Sequence, residues 1–412
     1  MAPPTEWNPA DQRIVVVGGC GRVGLPLGVK MALAGFRTSI LDINEKAVQT
    51  VKGGHFPFLE ENGERDLAKA LAAGLTVTTD RSVCREANVF IFVTGTPVDE
   101  YLNPKFSEII KVLGDYRGYL DPGNLVIMRS TLCPGMTEYL QRLFRSWGKD
   151  VLLSYCPERV AQGFGLSEIE SLPQIISAFD EPSFVRSCAI FSRMAPSLIR
   201  LTPEEAEVTK LIANSWRYLE FAIANQFYMM VEKNGLDFSR IYQAIRFDYP
   251  RAATYRSPGL AAGPCLFKDT MQLASWARHD FDLGHAAVHA NEGLADFMVD
   301  KVEAALGGSV HDRTVGILGL TFKADCDDTR TSLSFRVRKV LDFRGAKVLA
   351  HDPYVPESPS LESVLASSEA LVLCTPHREY RELDVKKPLI DVWGLLRRSP
   401  LEVLPGTRKA PK

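Results

Sequence analysis

At 412 residues, 46% hydrophobic and 24% charged, the chain exceeds what one hydrophobic core usually covers and has ordinary globular composition, so two or three domains are expected. A formal net charge of −2 gives no electrostatic footing for nucleic acid or an anionic membrane, and no apolar run is long enough to cross a bilayer. The first residues lack the basic-then-apolar order of a signal peptide and the 8 cysteines are scattered with no CxxC pair, so the expectation is a cytoplasmic protein with reduced thiols.

Residues 13–19 form a short β-branched run ending in two glycines, followed by a helical pattern and a second strand at 38–42. Residues 87–97 and 124–131 read as further strands, and strands alternating with helical stretches indicate βαβ units and a parallel sheet. From Pro203 to Glu232 there is no glycine and no further proline. Val208, Leu211, Ile212, Leu219, Ile223 and Phe227 recur there at helical spacing, predicting a long central helix that bridges two domains and offers a dimer surface. Residues 314–320, 346–352 and 370–376 repeat the plan of the N-terminal strands, the second again ending in an acid. The predicted fold is α/β, two doubly wound Rossmann-like domains joined by a long central helix, divided as 1–200, 201–300 and 301–412. The proline-rich, basic tail from Arg397 is expected to fray.

The hexapeptide Gly19-Cys-Gly-Arg-Val-Gly24 closes the first strand and opens a helix, with Asp42 ending the next strand about 20 residues on. Gly19, Gly21 and Gly24, with Arg22 and Val23 between them, would bring backbone N–H groups to a pyrophosphate at a helix N-terminus. Asp42 would accept hydrogen bonds from ribose hydroxyls and repel a 2′-phosphate, which argues for NAD over NADP; the competing reading is a glycine-rich turn with a solvated acid. The C-terminal copy lacks this fingerprint, because Phe322 stands where a third glycine would sit. Lys323 and Arg330 flank the acidic turn 325–328 there, pointing either to a different phosphorylated ligand or to an exposed charged loop. His285 and His289 are spaced i,i+4 without a third ligand, so they read as packing or surface histidines and no metal is expected.

Several segments in order resemble one family, the UDP-glucose/GDP-mannose dehydrogenases. They are 19–24; Thr94-Gly-Thr-Pro97; Ser130-Thr-Leu-Cys-Pro-Gly135; Cys156-Pro-Glu-Arg-Val160 with Gly163; Glu207 through Lys210 and Asn214 to Arg217; Gly263-Pro-Cys-Leu-Phe-Lys-Asp269; and Phe322-Lys323 through Asp328-Thr-Arg-Thr-Ser332. The resemblance runs from about Arg13 to Trp393. It implies oxidation of a nucleotide-sugar C6 alcohol to the uronate with two NAD, by a homodimer or higher oligomer. Cys265 would then be the nucleophile, with Lys210, Asn214, Asp269, Glu158 and Thr131 around it. Thr96 and Thr131 would line the cofactor. Arg159, Arg217, Gly263, Phe322, Lys323 and Arg330 would contact the sugar nucleotide, with Arg251 reaching it from a neighbouring subunit. Gln162 and Glu220 depart from the family pattern, and the segments around Cys156 and Cys265 resemble different branches, so the sugar stays open between a UDP-hexose and a UDP-N-acetylhexosamine.

The spacing supports this chemistry on its own terms. Lys210 and Asn214 are i,i+4 on the central helix and face the same way, as an oxyanion clamp requires. If a helix begins near Pro264, Cys265 lies at its positive end, where a thiol is acidified, with Asp269 one turn on. A buried structural thiol is the alternative, and it is the reading taken for the other seven cysteines. Two rival functions remain: a single-step β-hydroxyacid-type dehydrogenase, for which Cys265 has no use, and a dinucleotide-binding sensor without activity.

Overall fold

The computed structural model describes residues 11–95, 105–278, 280–396 and 399–404. The chain divides into two compact units: residues up to Asn214 with Lys268–Asp280, and Ser215–Phe267 with Phe281 onward.

The first unit holds eight strands: β1 (Arg13–Val17), β2 (Arg37–Leu41), β3 (Thr76–Thr78), β4 (Val89–Phe92), β5 (Leu125–Met128), β6 (Leu152–Tyr155), β7 (Gln174–Ala178) and β8 (Leu198–Leu201). Their order is β3-β2-β1-β4-β5-β6-β7-β8, parallel throughout except where β7 runs antiparallel to β6. Val15, Val17, Phe90 and Phe92 fill one face, and Ile14, Val16, Val89 and Ile91 the other. A parallel sheet buried on both sides explains the continuous apolar runs in these strands. Since β1 leads to β2 on one side and abuts β4 on the other, the loop after β1 lies at a topological switch point. The strand ends at Val17, two residues before the predicted limit. Gly18 takes φ 75°, which suits glycine, and the N–H groups of Gly18 and Gly19 both turn to the Leu41 carbonyl at 2.8 and 3.2 Å.

In the second unit four parallel strands run in the order β10-β9-β11-β12, with β9 Thr314–Leu318, β10 Lys347–His351, β11 Ala370–Leu373 and β12 Leu389–Ile390. Val315, Ile317, Val372 and Ala350 pack with Leu294, Met298 and Val302 of the helix Asp282–Ala305. The two echoing halves read from the sequence are thus two Rossmann-like sheets, and the long helix between them is Pro203–Lys233.

That helix starts on a capping box. Thr202 N–H and Oγ1 both donate to Glu205 Oε2 at 2.8 Å, the Glu205 N–H returns to Thr202 Oγ1, and Pro203 takes the first position. Its second turn is moored by Glu207. This buried carboxylate accepts the Gly135 and Thr137 N–H groups at 2.7 Å and the Thr137 hydroxyl at 2.5 Å, occupying the N-terminus of the helix Met136–Ser146. In the second unit, Asn225 on the same helix exchanges two hydrogen bonds with Gly259 and one with Asn291.

Glu207→Ala would leave the buried Thr137 N–H and the half-buried Gly135 N–H without an acceptor, and should lower the urea unfolding free energy by about 2–4 kcal/mol. Burial pushes the Glu207 carboxyl above its ordinary value, against the hydrogen bonds from Thr137 and Gly135. The native state therefore binds that proton more tightly than the unfolded chain. Its stabilising contribution is full below the ordinary carboxyl pKa and is lost as pH rises through the raised native value. The stability difference between the native protein and Glu207→Gln should accordingly shrink from about pH 4 toward neutrality.

Candidate active site

The loop after β1 is built around what glycine permits. A methyl at Gly24 would lie 2.5 Å from Gly19 Cα, and one at Gly19 would lie 2.8 Å from both Ile40 Cγ2 and the Val16 carbonyl oxygen, so these two let helix Gly24–Leu33 press onto the strands. Gly21 differs. A methyl there would meet nothing closer than the Gly18 carbonyl oxygen at 3.8 Å, so no protein packing requires its bare backbone. An exposed glycine facing open space at a helix start fits close approach by a pyrophosphate. Asp42 sits immediately beyond β2. Its Oδ2 accepts the Cys20 N–H and its Oδ1 the Asn44 N–H, each at 2.9 Å, and the carboxylate stays half-exposed beside the loop. Arg22 lies over the Phe58 ring at 4.9 Å, and Val23 is half-buried at the helix start. The residues present fit a dinucleotide whose ribose hydroxyls reach Asp42. Thr96 lies outside the described residues.

A second group in the first unit centres on Asp269. This side chain is fully buried; its Oδ2 accepts from the Asn214 amide at 2.5 Å and its Oδ1 lies 3.3 Å from Lys268 Nζ. Lys210 and Asn214 share one face of the central helix, about one and two turns beyond Glu207, and Lys210 is half-buried. Thr131 is half-buried just beyond β5, in the loop that Glu207 moors at Gly135. Glu158 is more committed than its sequence reading implies. Its Oε1 accepts the Arg159 and Val160 N–H groups at 2.7 and 3.0 Å, and its Oε2 pairs with the buried Arg129. Arg129 also donates to the Cys156 carbonyl and to Gln174, while the Arg159 guanidinium donates to the Pro173 carbonyl. Glu158 thus holds the 158–160 turn through these bonds.

In the second unit, Cys265 precedes the helix Leu266–Trp276, one residue outside it, with Asp269 in that helix's first turn. The helix begins slightly later than expected from Pro264, which leaves the thiol at the cap. Of the 8 cysteines Cys265 alone is exposed. Burial pushes the thiols of Cys20, Cys133 and Cys156 up to about 12. Arg330 stands near Cys265: hydrogen bonds to Asp328 raise its guanidinium above the ordinary range against desolvation, and the Cys265 charge acts in the same direction. Its Nε and Nη2 grip Asp328 at 2.9 and 2.7 Å, while most of the side chain stays exposed.

Gly263, at φ 108°, approaches Phe322 so closely that a methyl there would lie 2.7 Å from the ring. The bulky residue that breaks the glycine fingerprint therefore packs on the segment leading to Cys265. Lys323 comes next, half-buried. Arg217 and Arg251 are exposed, the latter on a single 3₁₀ turn, Pro250–Ala252. His285 and His289 are both exposed on the helix Asp282–Ala305. Asp325, His377 and Glu379 bring possible ligand atoms within 4.8 Å of one another, but Arg378 already holds the Asp325 carboxylate and Tyr354 the Glu379 oxygen.

Sequence reading gave no role to Arg129, Glu207 or Lys268. Each carried a signal: a charge closing the apolar run of β5, an acid one turn before Lys210 on the same helix, and a lysine beside Asp269.

The UDP-glucose/GDP-mannose dehydrogenase family matches with its NAD binding domain at residues 12–195, its central domain at 204–293 and its UDP binding domain at 316–398. A UDP-N-acetyl-D-mannosamine dehydrogenase of Pyrococcus horikoshii is 29% identical over 384 residues, 90% of this chain and 91% of the relative. A UDP-glucose 6-dehydrogenase of Bacillus subtilis is 25% identical over 402 residues, 90% of this chain and 86% of the relative. The solved structure of UDP-D-ManNAc dehydrogenase from Pyrococcus horikoshii superposes with a TM-score of 0.84 at 28% identity, covering 90% of this chain and 91% of that one. Among the described residues no helix is long and apolar enough to cross a membrane. With its glycine loop, its Asp42 and the three domains in order, the chain belongs to the UDP-glucose/GDP-mannose dehydrogenase family and is an NAD-dependent nucleotide-sugar dehydrogenase.

Proposed function

We propose that the protein oxidises the C6 alcohol of a UDP-linked hexose or N-acetylhexosamine to the uronate in two successive oxidations, with Cys265 carrying the intermediate. The observation that supports this reading most is the placement of Cys265: the one exposed thiol of eight, at a helix start, near the Arg330 guanidinium. A helix N-terminus and a cation both favour thiolate, the reactive form. A single alcohol-to-aldehyde oxidation would have no use for it.

NAD supplies the hydride acceptor for both oxidations. Loss of a hydride and the hydroxyl proton takes the alcohol to the aldehyde. The Cys265 thiolate then adds to the aldehyde carbon, forming a C–S bond and an oxyanion that Lys210 and Asn214 are suited to hold. Loss of the second hydride leaves a thioester. Water attacks the thioester carbon, the C–S bond breaks, and acid and thiol are released. Asp269, which contacts Asn214 and Lys268, is assigned the part of assisting that water or balancing the lysine charge. Glu158 and Thr131 shape the pocket wall, and Glu158 does so through its turn. The nucleotide is assigned to Phe322, Lys323 and Arg330, with Arg159, Arg217 and Gly263 as further contacts. In functional terms this divides the chain into a cofactor part (1–200), a central part (201–300) and a nucleotide-sugar part (301–412).

The working unit is proposed to be a dimer or higher oligomer. Trp216, Ile223, Phe227 and Met230 recur on one face of the central helix and are about half exposed, from 46% to 58%, an apolar stripe that a second copy would cover. Arg251 makes no hydrogen bond or ion pair with another described residue and is available to reach a neighbour's substrate.

Turnover of UDP-glucose, UDP-GlcNAc, UDP-ManNAc and GDP-mannose identifies the sugar, and NADH counted per sugar tests the mechanism: two support it, one points to a single-step dehydrogenase, none to a sensor. Cys265→Ser should bind NAD and sugar nucleotide normally yet lose uronate formation by roughly three orders of magnitude or more, because a serine hydroxyl is too basic to ionise at neutral pH. Near-normal uronate production by the folded variant would return Cys265 to a packing role. NADP should be used at least about a hundredfold less well than NAD, and Asp42→Ala should narrow that gap; equal turnover with both cofactors in the native protein would remove Asp42 from the ribose. Sedimentation should show no active monomer, and Arg251→Ala should raise the Michaelis constant for the sugar nucleotide several-fold more than that for NAD.

A further inference from the structure

The turn after β9 in the second unit carries Phe322 and Lys323, and two of its residues, Thr321 and Asp325, hydrogen-bond to a residue outside it. His377, just beyond β11, is fully buried. The Asp325 N–H donates to its Nδ1 at 3.0 Å. A backbone N–H can only donate, so Nδ1 is the acceptor and the ring proton lies on Nε2. Nε2 faces Asp352 Oδ2 at 3.0 Å and Thr321 Oγ1 at 3.1 Å. Thr321 Oγ1 in turn donates to the Lys323 carbonyl at 3.0 Å.

Asp352 closes β10 as Asp42 closes β2, and it too accepts from the loop after the first strand of its sheet, here the Leu320 and Thr321 N–H groups at 2.6 and 2.9 Å. The two differ in what is left over. Asp42 stays half-exposed, whereas Asp352 is buried, its Oδ1 takes the Tyr354 N–H, and His377 meets its Oδ2. Where the first unit leaves a carboxylate open beside a glycine loop, the second consumes it internally. The resulting turn holds Asp325 at φ 54°, a left-handed conformation, with its N–H directed at the His377 ring.

We propose that His377 is a positioning residue for the nucleotide-sugar site: its two ring nitrogens hold the turn from Leu320 to Asp325 at both ends and so fix where Phe322 and Lys323 stand. This rests on the reading of Lys323 as a nucleotide contact. The test separates the two nitrogens. In His377→Asn the amide oxygen falls near the position of Nδ1 and can keep the Asp325 bond. In His377→Gln the amide reaches the Nε2 position and leaves the Asp325 N–H without an acceptor. Titration of the full chain with UDP and, separately, with NAD should show UDP binding weakened roughly tenfold in His377→Gln and by less in His377→Asn, with NAD affinity within about twofold of native in both. If the glutamine variant does not fold, the asparagine variant carries the same comparison: UDP binding weakened with NAD unchanged supports the proposal. Equal loss for both ligands, or unchanged UDP binding, overturns it. Lys323→Ala distinguishes the underlying reading. Unchanged UDP affinity there means that the turn does not hold the nucleotide, whereas loss in Lys323→Ala with none in His377→Gln rejects His377 alone.

Discussion

A carboxylate at the end of the second strand holds the loop that comes after the first, and this happens in both sheets. Asp42 binds the Cys20 N–H and Asp352 binds those of Leu320 and Thr321. Parallel strands force this arrangement, since every strand of a βαβ unit delivers its chain to the same edge and leaves backbone N–H groups there unpaired. An acid from the neighbouring strand is the nearest acceptor. Its consequence differs between the units. With glycines at 19, 21 and 24 the first loop stays low and its acid half-open. With Phe322 and a buried histidine the second loop is filled by the protein itself, and its acid is fully engaged.

The same constraint governs the charged groups around the central helix. Glu158, Glu207 and Asp269 are all buried, and each is held by donors: backbone N–H groups, an arginine, an amide. A buried carboxylate is costly to leave unpaired, so such groups lock their surroundings in one arrangement. Glu207 moors the helix that carries Lys210 and Asn214, and Asn214 reaches Asp269. Cys265 is the exception among the cysteines. It is left exposed just before a helix, while burial pushes the thiols of Cys20, Cys133 and Cys156 up.

Much of this was legible without coordinates. Alternating β-branched runs and helical stretches announced two parallel sheets, and the unbroken span from Pro203 announced the central helix, because both depend on local periodicity. The fingerprint 19–24 with Asp42 was legible because its parts lie within one βαβ unit. The spacing of Lys210 to Asn214 was legible because a helix converts sequence distance into a shared face. The start of the Cys265 helix was misplaced by about two residues, since a turn and a first helical turn have similar composition.

The sequence by itself determined the order of elements, the dinucleotide loop and the presence of a cysteine, a lysine, an asparagine and an aspartate at helical spacings. These are local matters, fixed by side-chain size, backbone freedom and periodicity. Only the tertiary structure decided which polar groups are already satisfied. Glu158 reads as a free acid until Arg129, 29 residues earlier, is seen to hold it; Glu207 reads as an ordinary helical acid until the start of another helix is found on its oxygens; and His377 carries no motif at all until the folding of β9, β10 and β11 side by side surrounds it with Asp325, Asp352 and Thr321. Partners that far apart in the chain leave no spacing to read, because burial and hydrogen-bond satisfaction are properties of the packed interior rather than of any segment.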